Sequence, residues 1–106
     1  MASQQINTYV EGNVLNFEVQ FTNELTGAAI NPTNVAFGYR VNGGNVTSFT
    51  YGVGSQITNP STGTFAIQIA TVSLPGTWVW EWQSTGNGAA VVSGAITVTP
   101  KPMTLL

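Results

Sequence analysis

The chain has 106 residues and carries only six charges, Glu11, Glu18, Glu24, Glu81, Arg40 and Lys101, 6% of its residues against the usual 25% or so. It contains no histidine, no cysteine and no aspartate. These absences exclude His- and Cys-activated nucleophiles, a disulfide framework and ordinary zinc sites, and two cations cannot neutralise a row of phosphates.

Thirty-three β-branched residues and eleven aromatics give the chain a strong strand bias, and turn-forming residues recur roughly every ten positions. Gln5 to Val10 is a candidate N-terminal edge strand. Val14 to Thr22 follows, with Leu15, Phe17, Val19 and Phe21 on one face and Asn16, Glu18, Gln20 and Thr22 on the other. Beyond the turn Asn31-Pro32-Thr33-Asn34, residues Val35, Phe37, Tyr39 and Val41 alternate with Ala36, Gly38 and Arg40, which sends Arg40 outward or to a rim. Asn42-Gly43-Gly44-Asn45 reads as a tight hairpin turn, because Asn and Gly accept positive φ, and the return strand is Val46 to Tyr51.

Gly52 to Ser55 breaks the pattern, Gln56 to Thr58 is a short candidate edge strand, and Asn59-Pro60-Ser61-Thr62-Gly63 reads as a turn. Phe65, Ile67 and Ile69 then alternate with Ala66, Gln68 and Ala70. A corner at Ser73-Leu74-Pro75-Gly76 leads to Trp78, Trp80 and Trp82 on one strand face, with Thr77, Val79, Glu81 and Gln83 on the other. After a loop from Ser84 to Gly88, the last strand runs from about Ala90 to Thr99 with Val92, Ile96 and Val98 inward, and Pro100 and Pro102 end it. The count predicts an all-β, antiparallel β-sandwich of seven to eight strands, one domain over residues 1–100 and a C-terminal tail over 101–106.

The stretch from Thr64 to Val98 resembles the last three strands of an immunoglobulin-like domain. Phe65-Ala66-Ile67-Gln68-Ile69 is followed by Leu74-Pro75-Gly76-Thr77-Trp78-Val79-Trp80-Glu81-Trp82 and a closing strand ending Ile96-Thr97-Val98-Thr99-Pro100. The resemblance puts Trp78 at the corner aromatic position and Trp80 where antibody domains have a cysteine. Trp offers only a ring N–H where the corner tyrosine has a hydroxyl. Taken with Tyr9-Val10-Glu11-Gly12-Asn13, the Pro-Gly-Thr-Trp strand and the terminal Val-Thr-Pro, the chain also resembles small virion proteins of tailed bacteriophages. That resemblance implies a head decoration (cement) or head–tail accessory protein that binds the major capsid protein or other virion subunits, with a homo-oligomer as a further option and the virion as its location after synthesis in the host cytoplasm.

Residue by residue, no chemistry competes with that reading. The four glutamates fall on polar strand faces or strand ends, which suits solvated carboxylates better than an acid–base pair, and no Asp-x-Asp run offers calcium a site. The chain is therefore expected to be no enzyme and to take no cofactor, metal, nucleic acid or membrane. No apolar run approaches the ~20 residues of a membrane span, and the N-terminus lacks a secretory signal pattern. The alternating tryptophans read as a core stripe, two interior and one partly exposed near a sheet end, rather than as a platform for sugar rings. Met103, Leu105 and Leu106 are candidate partner-binding residues, because an apolar tail on a nearly uncharged protein costs solubility unless another subunit covers it. Thirty-eight Ser, Thr, Asn and Gln residues cover the remaining surface with hydroxyls and amides. The alternative function is a carbohydrate-binding or adhesion module that uses exposed aromatics.

Overall fold

A computed structural model describes residues 8–103, and every regular element among them is a strand. In chain order these are β1 (Thr8–Val10), β2 (Val14–Gln20), β3 (Asn34–Val41), β4 (Thr47–Thr50), β5 (Ile57–Ser61), β6 (Thr64–Ala70), β7 (Gly76–Thr85) and β8 (Ala90–Thr99). They form a five-stranded sheet of order β1-β8-β7-β3-β4 and a three-stranded sheet of order β2-β6-β5. The second sheet groups strands as B, E and D are grouped in immunoglobulin domains, and β3, β7 and β8 take the places of C, F and G. The sandwich is thus all-β and immunoglobulin-like. Among the described strands the one parallel pairing joins β1 to β8, with Thr8 opposite Thr97 and Val10 opposite Thr99.

Side-chain alternation decides what is buried. In β2, Leu15, Phe17 and Val19 are buried while Asn16, Glu18 and Gln20 are exposed, and β6 repeats this with Phe65, Ile67 and Ile69. The two inner faces meet in one aromatic cluster. Phe37 of β3 packs 5.0 Å from Phe17 and 4.9 Å from Trp82 between ring centroids. Phe17 of β2 reaches Trp80 of β7 at 5.7 Å. In antibody domains a disulfide joins these two strands. Here a pair of rings makes the inter-sheet contact, in a chain without cysteine.

The corner aromatic is a tryptophan that bonds much as a tyrosine does. Trp78 is fully buried, stacks on Tyr39 at 4.6 Å, and donates its Nε1–H to the carbonyl of Leu74 at 2.9 Å, four residues upstream. The ring N–H therefore does what the hydroxyl does in a tyrosine corner. The predicted hairpin is also present: Asn42 and Gly43 have φ of 53° and 72°, and Gly44 N–H donates to Val41 C=O at 2.9 Å, the pattern of a type I′ turn.

Three hydrogen-bonded links fix the connections. Thr71, fully buried, accepts from Gly12 N–H at 2.9 Å and donates to Asn13 C=O at 2.7 Å, tying the β1–β2 turn to the end of β6. Ser84 donates to Gly88 C=O at 2.8 Å and accepts from Ala90 N–H at 2.9 Å, which closes the β7–β8 hairpin. Asn42 Oδ1 accepts from Thr77 N–H at 3.0 Å and binds the type I′ turn to the start of β7.

Several sequence expectations shift. Asn59-Pro60-Ser61 belongs to β5 rather than to a turn, and the register slips between Thr58 and Ser61. A proline is admitted because β5 is the outer strand of its sheet, where one side of the backbone needs no ladder bond. Asn59 Nδ2 supports the irregularity by donating to Ser61 C=O and Thr64 C=O, both at 2.7 Å. The β7–β8 loop is shorter than expected, because β7 runs through Thr85. Val92 pairs with Trp82 on the inward register but is 39% exposed, since only three described strands stand opposite a sheet of five. Of the candidate strand Gln5 to Val10, only Thr8–Val10 is described; residues 5–7 lie outside the described residues.

Candidate interaction surface

The glutamates on the strand faces do not converge. Glu18 lies on the outer face of the three-stranded sheet, and Glu81 on the outer face of the five-stranded sheet, on opposite sides of the molecule. Glu11 sits at the β1–β2 turn, where its Oε2 accepts from Ser73 N–H at 3.0 Å. That bond holds the corner residue Ser73, whose φ of 62° is left-handed. Glu24 is exposed in the β2–β3 connection. Among the described residues no group of three or more potential metal ligands occurs.

Trp78 and Trp82 are fully buried, while Trp80, the middle of the row, is half-buried. Its indole lies over Gly94, directly opposite in β8. A Cβ at Gly94 would come within 2.7 Å of the ring. The partly exposed tryptophan is therefore at mid-strand rather than near a sheet end, because a glycine in the adjoining strand leaves room for the ring to lie flat. Met103 is 62% exposed, and Leu105 and Leu106 lie outside the described residues.

The feature that sequence reading missed is a depression of about 210 Å³ on the outer face of the five-stranded sheet. Its floor is β3, where the outward positions are Ala36 and Gly38. Val46 folds across Gly38, its Cγ1 3.5 Å from where a Cβ would stand. Val79 forms the opposite wall, and Arg40, Glu81 and Gln83 stand at the rim. Register explains the grouping. Gly38 is opposite Glu81 and Arg40 opposite Val79, so Arg40 and Glu81 are diagonal neighbours about 7–8 Å apart along the backbone. Glu81 also accepts a hydrogen bond from Gln83 Nε2. Val91, exposed on β8 opposite Gln83, extends the apolar area of this face. The one local signal in the sequence was the small pair Ala36-x-Gly38 on the outward side of an otherwise bulky strand.

No family model matches this chain, and no curated relative does. Among solved structures it is similar to the immunoglobulin-like domain of human leucine-rich repeat-containing protein 4, with a TM-score of 0.40 and 15% identity over 92% of this chain and 82% of that one. The immunoglobulin-like architecture of this chain rests on its own strand order and pairing.

Proposed function

We propose that the chain is a non-enzymatic structural protein that packs permanently against other protein, and specifically a capsid decoration or cement protein of a tailed-phage virion, bound to the major capsid protein lattice. The observation that carries the packing role is the outer face of the five-stranded sheet, where Ala36, Gly38, Val79 and Val91 lie among Thr77, Gln83, Ser93 and Thr97 with a single acid, Glu81, and a single base, Arg40, on its strands. Such a face has little long-range charge to steer or repel and offers hydrogen bonds and apolar contact at short range. The virion assignment rests further on the sequence resemblance.

Gene neighbourhood is the first test. A genome without capsid, portal or tail genes beside this one removes the virion reading. Where they are present, the purified protein should co-sediment saturably with capsids assembled from that major capsid protein, and the bound fraction should persist at ~1 M salt, where screening acts beyond about 3 Å. Deleting Met103 to Leu106 should weaken attachment while the far-UV spectrum stays unchanged. Release by salt would mean docking through ion pairs, and full retention by the truncated protein would remove the tail from the contact.

A further inference from the structure

We infer that the outer face of the five-stranded sheet is the contact surface of a two-fold homodimer, with Arg40 of each copy opposite Glu81 of the other across the depression floored by Gly38. The argument starts from charge. Within each chain this face carries one cation and one anion, set diagonally on neighbouring strands. A two-fold axis passing between them exchanges their positions, so each guanidinium meets a carboxylate and no charge is left facing its like. The outer face of the three-stranded sheet lacks this property. Its charge is Glu18 alone, and pairing two such faces would bring together two acids without a base.

Apolar contact adds to the match. Val46 and Val79 are 63% and 44% exposed on the two sides of the Gly38 floor. The floor carries only Ala36 and Gly38, with Val46 turned over Gly38, and the space left beside Val79 can admit valines from a second copy. Strands of eight to ten residues at the usual spacing give a face of roughly 30 by 15 Å. Two such faces bury on the order of 1,000 Å², the low end for a specific interface, so the dimer is reversible rather than obligate. The inference does not rest on the virion reading: it concerns the protein alone in solution, where the face that would pack on a capsid is uncovered and two copies can pair through it reversibly.

The experiment is sedimentation velocity of the purified chain from about 1 μM to about 1 mM, the range in which an interface this small is populated. The expected result is a concentration-dependent monomer–dimer equilibrium. Arg40→Glu and Glu81→Arg should each weaken it roughly tenfold or more, because one reversal turns two attractive pairs into two repulsive ones. The double variant R40E/E81R should restore it to within about threefold, the pairs being re-formed with signs exchanged. Arg40→Gln and Glu81→Gln, which delete charge without reversing it, should weaken association less than the reversals. A monomer throughout the range, a dimer indifferent to single reversals, or a double variant no better than the singles would each overturn the proposal. Far-UV circular dichroism of every variant verifies that the sandwich is intact.

Discussion

The same substitution at two tryptophans of one strand face should have opposite-sized effects. Trp78 and Trp82 are both fully buried on β7, four residues apart. Trp→Phe at either site leaves about 40 Å³ unfilled, worth about 1 kcal/mol at ~24 cal/mol per Å³. The lost apolar contact area costs about 1 kcal/mol more. At Trp78 the change also removes the 2.9 Å bond from Nε1 to Leu74 C=O, another ~1 kcal/mol, for a total of about 3 kcal/mol. At Trp82 the ring N–H is buried with no hydrogen-bond partner among the described residues. An unpaired buried donor costs about 1–3 kcal/mol, so removing it offsets most of the ~2 kcal/mol lost to packing. Trp82→Phe should therefore be near neutral and Trp78→Phe severe. In a domain of this size the gap corresponds to a Tm difference above about 10 °C. Urea unfolding followed by far-UV circular dichroism measures both, with equal m values as the check that the unfolded state is unchanged. If Trp82→Phe destabilises as much as Trp78→Phe, the unpaired donor is not a cost and the reasoning fails.

Three further outcomes concern Thr71 and the half-buried Trp80. Thr71→Val keeps the shape of a fully buried side chain but removes its bonds to Gly12 N–H and Asn13 C=O, and should cost about 2–3 kcal/mol, with Thr71→Ser recovering part of it in the same urea assay. Acrylamide should quench the emission of Trp80 alone among the three tryptophans, and Trp80→Phe should abolish the quenchable component. Adding soluble glycans at about millimolar concentration, where weak sites fill, should leave that emission unchanged; a saturable shift would favour the carbohydrate-binding alternative.

Much of the fold was legible because strand side chains alternate with a period of two whatever they pack against. Leu15, Phe17 and Val19, and likewise Phe65, Ile67 and Ile69, declared both their strands and their inner faces. Asn42-Gly43 declared its turn because few other dipeptides accept positive φ at both positions. Arg40 was placed outward by parity alone, and so was Glu81. These are local properties, carried by neighbours in the chain.

What lay beyond the sequence was set by pairing between distant segments. Pro60 could enter β5 only because that strand turned out to be an outer one, and Val92 stays partly exposed because the facing sheet has fewer described strands than its own. Trp80 is half-covered because register puts Gly94 beside it. The depression needs Gly38, Val46 and Glu81 together, and nothing local joins Glu81 to the other two. The scarcity and the outward placement of the charges were thus determined by the sequence alone. That Arg40 and Glu81 share one face, diagonally across a glycine, was decided by the β3–β7 register, because pairing between strands forty residues apart depends on the whole core and not on either strand.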